Sequence, residues 1–300
     1  MILTSAPPEL IKSCKIGAEA RDYGISLIKK GVSLLEVAEK VEKKIFELGG
    51  EIAFPPQISL NHIAAHYCPD ANDKTVFGDD LAKLDVGVQI EGYIADTARS
   101  IDLSGKYGKI IQASEDALKA AIKIVKPGTT LGQIGKVIQD TIAAHGLSPV
   151  RNLSGHGLGM YDIHTEPNIP NYDNGDDTEL QKGQLIAIEP FATDGAGLIQ
   201  EGNSPTLFSI ATRRQVRLPV TRKILKYILE NYGQLVFAKR WLKRKFQNYE
   251  VEFALRNLER EGIIHGYPPL GELKKGIVSQ TEHTILVGYG VLTKSSSTKI

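Results

Sequence analysis

Apolar positions recur every three to four residues from Pro8 to Lys30 and again from Ser33 to Leu48, which predicts two amphipathic helices. Ser33 and Glu36 have capping-box spacing at the start of the second, and Gly49-Gly50 stops it. The period then shortens toward two, and "EIAFPPQISLN", "KTVF" and the span Leu81–Leu103 read as strands. That span folds into a hairpin if the chain turns at Glu91-Gly92. A second helical pair follows, Lys106–Lys126 and Leu131–His145. Strands are expected around "SPVRNLSGHGLG" and "GQLIAIEPFATDG", and "GIVSQTEHTILVGYGVLTK" reads as a closing hairpin.

The two helical pairs are copies. With a shift of 97 residues and no gap, Ala20 meets Ala117, Ile25 meets Ile122, Gly31 meets Gly128, Leu34 meets Leu131, Ile45 meets Ile142 and Gly49 meets Gly146. Two helix–helix–strand halves facing each other place a site at their seam, with ligands drawn from both. The fold class read from this pattern is α+β and pseudo-symmetric.

Residues 205–269 break the pattern. They hold an expected helix at Thr221–Asn231, the basic stretch "AKRWLKRKF", a helix at Glu250–Glu261 and a wing-like strand and turn in "GIIHGYPPL". Between Arg213 and Lys245 stand eleven Lys/Arg and one acid, Glu230, so this segment carries +10 against −9 for the remainder. An asymmetry of that size marks a separate unit with a partner of its own, or a solvated basic surface. The expected division is therefore 1–204 with 270–300 as one domain and 205–269 as an inserted subdomain.

Composition adds little more. Hydrophobic residues make up 42% and the net charge is +1, which gives no global attraction to nucleic acid or membrane. With only Cys14 and Cys68, no disulfide framework is implied and a reducing, cytoplasmic setting is expected. No signal-peptide pattern and no apolar run long enough to span a bilayer is present.

The acids carry the chemistry. Asp85 and Asp96 lie inside apolar strand runs. A two-residue loop at Glu91-Gly92 puts them on one face, diagonally related, with Cβ atoms roughly 5 to 8 Å apart. Such a pair repels and loses hydration, so either one stays protonated or a cation neutralises both. "SGHGLG" sets His156 between glycines, "LIAIEPF" ends an apolar strand in Glu189, and "VSQTEHTILV" sets Glu282 inside a strand. Singly, each fits a loop or a solvated strand face. Together, two Asp, one His and two Glu form a donor set for divalent cations. His66 in "NHIAAHYCP" and His164 in "GMYDIHTEPN" are 98 residues apart, one away from the repeat, and face each other across the seam if the halves are equivalent.

An Asp, a second Asp eleven residues on, a Gly-flanked His, the Glu of "IEPF" and the Glu of "TEHT" resemble the methionine aminopeptidases, which have the pita-bread fold. The roughly 65-residue insert between the last two motifs resembles type II members, where it is a mostly helical, winged-helix-like subdomain. The resemblance implies removal of initiator methionine from nascent chains when the second residue is small, through hydroxide held between two divalent metals. It implies Asp85, Asp96, His156, Glu189 and Glu282 as metal ligands and Glu189 as proton shuttle. His164 is implied to meet the scissile carbonyl and His66 the substrate backbone. Carboxylates with one imidazole admit Co, Mn, Fe, Zn or Ni. A monomer is expected, with ribosome contact through 213–245 as a further expectation. Two rivals share the scaffold. One is a prolidase or X-Pro peptidase, which usually carries an added N-terminal domain. The other is a non-catalytic binding protein contacting RNA or ribosome through the insert.

Overall fold

A computed structural model describes residues 1–202 and 204–294. In the first half, helices α1 (Pro8–Leu27) and α2 (Leu34–Glu47) pack on strands β1 (Glu51–Leu60), β3 (Leu81–Ile90) and β4 (Tyr93–Asp102); the short β2 (Ile63–Ala65) follows β1 in the chain and joins another sheet. In the second, α3 (Gly108–Ile124) and α4 (Leu131–Ala144) pack over a second core. The α2 and α4 bounds differ by the 97 residues of the repeat. Its matched glycines adopt matching left-handed backbones: φ is 83° and 86° at Gly31 and Gly128, and 75° and 68° at Gly49 and Gly146. A side chain is strained in that region, so glycine recurs at both helix starts and stops.

The remaining strands are β5 (Ser148–Pro149), β6 (Ser154–Gly159), β7 (Asp162–Pro170), β8 (Leu185–Ile188), β9 (Phe191–Thr193), β10 (Ile199–Glu201), β11 (Leu207–Ile210), β12 (Phe237–Ala238), β13 (Ile264–Tyr267), β14 (Leu270–Glu272), β15 (Val278–Gln280), β16 (His283–Leu286) and β17 (Gly290–Val291). Every ladder is antiparallel. The sheet orders are β1-β3-β4, β15-β9-β5, β10-β14-β2, β12-β11-β13 and β17-β16-β8-β6-β7. This is the expected pita-bread arrangement, with α1–α4 on the outside and the sheets meeting in the middle.

Within 205–269, helices α5 (Pro219–Asn231), α6 (Lys239–Lys243) and α7 (Asn248–Arg260) stand beside the β12-β11-β13 sheet. They have a hydrophobic cluster of their own, with Phe208, Ile224, Ile228, Phe237, Leu255 and Leu258 in it. "GIIHGYPPL" supplies β13.

Three expectations change. "KTVF" is not a sheet strand; only Val76 bridges, to Ser33, because this segment bonds the turn between α1 and α2. Ser33 makes no side-chain cap on α2, and the Glu36 carboxylate pairs with Lys40 one turn on. The capping box is instead realised at the equivalent start of α4, by Thr130 and Gln133. The strand β7 was not expected at all: its exposed residues and two prolines hide the alternation.

Candidate metal centre

The β3–β4 hairpin turns at Glu91-Gly92, where φ is 50° and 86°, the handedness a two-residue loop requires. Ile90 therefore faces Tyr93, Gly87 faces Asp96 and Asp85 faces Ala98. The two aspartates share a face, diagonally related, as the sequence implies.

Glu189 and Glu282 arrive through a matched interruption. β8 and β16 pair through Ile188 and His283, and β9 and β15 through Phe191 and Gln280. Between these ladders Glu189-Pro190 lies opposite Thr281-Glu282. Pro190 has no N–H to continue the ladder. Glu282 is thus in the break before β16 and not inside a strand, a correction to the sequence reading.

Side-chain hydroxyls then sew this break to β4. Thr97 Oγ1 donates to the Glu282 carbonyl at 2.9 Å, and Ser100 Oγ to that of Gln280 at 2.7 Å. Thr284 Oγ1 accepts from Asp96 N and donates to Asp96 O, both at 2.8 Å. The buried Arg21 guanidinium donates to Thr97 Oγ1 at 2.6 Å, which leaves the Thr97 proton for Glu282. Each half's acids are fixed against the other's without a shared ladder.

His156 completes the group from β6. Its Nδ1 lies 3.2 Å from the Gly157 carbonyl, so Nε2 is free to face the acids, 3.6 Å from Asp96 Oδ2 and 3.7 Å from Glu189 Oε1. Burial pushes its pKa down to about 3, so the ring is neutral and offers a lone pair. The flanking glycines serve the neighbouring strands. A Cβ at Gly155 would lie 2.3 Å from the Ala187 carbonyl, and one at Gly157 2.3 Å from that of Glu166. Gly155→Ala is expected to cost about 1–3 kcal/mol by overpacking and to weaken metal affinity by moving His156. Thermal melts with and without added metal check both.

Asp96, His156 and Glu282 are buried and each place a donor atom within 4.8 Å of the other two. Asp85 and Glu189 adjoin them at the cavity wall. Asp85 Oδ1, Asp96 Oδ1 and Glu282 Oε2 are buried with no hydrogen-bond partner. Burial pushes the Asp85 pKa up to about 7. Burial first, then the neighbouring carboxylates, holds Asp96, Glu189 and Glu282 well above the usual range. Four carboxyls at one spot with orphaned oxygens fit a cation, whose charge replaces their protons.

Gln280 went unnoticed in the sequence. Buried two residues before Glu282, its amide reaches Glu189 Oε2 at 3.2 Å and Asp85 Oδ2 at 3.5 Å. Its signal was a buried polar residue beside a candidate ligand. His66 and His164 both line the adjoining cavity of about 220 Å³, with Phe54, Leu153, Ile163 and Phe191 as apolar walls. His164 packs edge-on against His156, ring centroids 4.4 Å apart. His164 keeps some exposed surface, yet burial of its ring lowers its pKa. Burial lowers that of His66 to about 4. The insert adds Leu207, Val236 and Tyr267 to the same cavity.

The family profile described as metallopeptidase family M24 matches residues 9–219. A methionine aminopeptidase of Methanocaldococcus jannaschii is 46% identical over 290 residues, which cover 95% of this chain and 98% of that one. The chain belongs to metallopeptidase family M24. Divalent-metal binding, a property of that family, is what the orphaned oxygens accommodate. The M24 fold also relates the chain to a methionine aminopeptidase structure from Thermotoga maritima, with TM-score 0.71 and 22% identity over 98% of this chain and 100% of that one. The structure of a thermophilic Arx1 has TM-score 0.85 at 14% identity, over 100% of this chain and 93% of that one. Among the described residues of this M24 chain, no helix is long and apolar enough to cross a membrane.

Proposed function

We propose that this M24 metallopeptidase is a methionine aminopeptidase of the type II pattern. It removes initiator methionine when the second residue is small. The observation that carries the reading is the convergence of Asp85, Asp96, His156, Glu189 and Glu282 beside a small apolar cavity flanked by two histidines. These five would hold two divalent ions of the Co, Mn, Fe, Zn or Ni class. The bound ions supply Lewis acidity and lower the pKa of water. The methionine side chain fits against Phe54, Ile163 and Phe191. His164 donates to the scissile carbonyl, and His66 meets the substrate backbone through its unpartnered Nδ1. Glu189 takes the proton of the attacking water and passes it to the leaving amine.

The division at 205 and 269 is supported by the insert's own hydrophobic cluster; residues 295–300 of the outer domain lie outside the described residues. We read the protein as a cytoplasmic monomer, with both cysteines buried as free thiols. We narrow its contact with ribosomal RNA or nascent chains from 213–245 to the exposed Arg213, Arg214, Arg217, Arg222, Lys223 and Lys245, since Lys226, Lys239, Arg240, Lys243 and Arg244 pair with acids.

Hydrolysis of Met-Ala-Ser with and without chelator, with metal counted on the same sample, tests the reading. Cleavage that stops on chelation and returns with about two ions per chain is the expected result. Preference for Ala-Pro peptides would make the protein a prolidase, and no cleavage with metal bound would make it a binding protein.

A further inference from the structure

The basic stretch at α6 has a destination inside the molecule. Arg240 is buried between the insert and the core. One guanidinium nitrogen, Nη2, pairs with Glu42 of α2, and Trp241 Nε1 donates to the same carboxylate at 2.9 Å. The other, Nη1, reaches Cys68 Sγ at 2.6 Å and the Pro69 carbonyl at 3.0 Å. Thr206 Oγ1 donates to the Cys68 carbonyl at 2.7 Å, and the Lys239 amide bonds back to Thr206 O. Lys243 Nζ meets Asp70 Oδ2 at 2.7 Å, with Lys239 also on Asp70 at 3.3 Å. Apart from the Lys239–Thr206 bond inside the insert, these contacts fall on Cys68, Pro69 or Asp70, or on α2 behind them.

That segment begins at His66. Its φ of 65° is a conformation a β-substituted residue holds only when its surroundings impose it. On the core side Gln57 Oε1 accepts its backbone N–H at 2.8 Å. On the insert side the Tyr267 ring packs edge-on, ring centroids 5.7 Å apart. Nδ1 is left buried and unpartnered beside the cavity.

We propose that Arg240, aided by Thr206, is a positioning residue for His66: the insert is clasped to the core so that this histidine is presented to substrate. The inference rests on the substrate role of His66 proposed above. The planar fork matters, because two nitrogens hold two different elements in register, which a lysine's single ammonium cannot do. The insert is then part of the peptidase machinery and not only an appended surface.

The test is a double-mutant cycle on Met-Ala-Ser hydrolysis. Arg240→Met and, as a milder variant with the ion pairs intact, Thr206→Val are each made with His66 present and with His66→Ala. Melting temperature and metal content are read alongside. Arg240→Met is expected to lower kcat/KM at least tenfold, and Thr206→Val about threefold, with metal content unchanged. In the His66→Ala background each is expected to change it less than twofold. Arg240→Lys is expected to restore only part of the loss. Equal factors in both backgrounds would overturn the inference, since a general loosening of the pocket is additive with His66. Should Arg240→Met not fold, Thr206→Val decides by the same criterion. A fully active His66→Ala enzyme would withdraw the role of His66 itself and this inference with it. An impaired one with additive losses withdraws this inference alone.

Discussion

Glu189→Gln is expected to retain bound metal and to lower kcat on Met-Ala-Ser by about 10²–10⁴-fold, the usual worth of a general acid–base group. Four other donors remain to hold the cations. The substituted amide keeps the shape and the acceptor that Gln280 Nε2 engages at 3.2 Å. The charge of one donor among five is lost, and with it the capacity to take and release a proton. Its environment is suited to that task, since burial and the charges of Asp96 and Asp85 raise the carboxyl's pKa well above the ordinary range. KM is expected to change little. Elemental analysis with steady-state kinetics on one preparation checks this. Near-normal turnover with full metal occupancy would remove Glu189 from proton transfer and leave it a ligand.

The second large effect is on stability. The gap in melting temperature between metal-loaded and metal-free protein is expected to widen as pH rises from about 6.5 to 8. An aspartate in the unfolded chain ionises near 4, but folded Asp85 keeps its proton until about 7. The native state thus binds the extra proton between those values, and stability falls as pH rises through them, by about 1.4 kcal/mol per pH unit per group. Asp96, Glu189 and Glu282 shift in the same direction and titrate with it as a set. The histidines oppose this below pH about 6.5. His156 and His66 are held neutral down to about 3 and 4, so their contribution to stability is lost as pH falls below the unfolded value. Above 6.5 the buried Lys83, whose ammonium is pushed down to about 7, and the N-terminal amine, also lowered by burial, oppose the acids. They do so in loaded and stripped protein alike, so the difference between the two forms reports the acids. A bound dication replaces the protons, so the gap between loaded and stripped melting temperatures widens with pH. A gap that stays constant from pH 6.5 to 8 would mean the acids are already ionised without metal.

The donor set was legible because burying a carboxylate is costly. Asp85, Asp96 and Glu189 interrupt apolar runs that have no reason to carry them except a cation. The helices were legible from their period, and the duplication from glycines that both copies need at positive φ. What stayed hidden was non-local. Glu282 read as a strand residue because Thr281-Glu282 matches its neighbours in pattern, and only the facing Pro190 breaks the ladder. Ser33 and Glu36 have the spacing of a cap, but the acid pairs with Lys40. The α6 cations read as an outward-facing charge because their partners, Glu42 and Asp70, lie about 170 to 200 residues earlier. Gln280 and Arg21 carry no motif; only the folded molecule gives them work.

The hydroxyl stitches between β4 and the segment around Glu282 tie together residues 185 positions apart. A chain growing from its N-terminus therefore displays its two aspartates long before anything can join them. The centre stays unassembled until synthesis has passed Glu282 and the strand that seats it. For the proposed peptidase, activity at this centre therefore waits until nearly the end of its own translation.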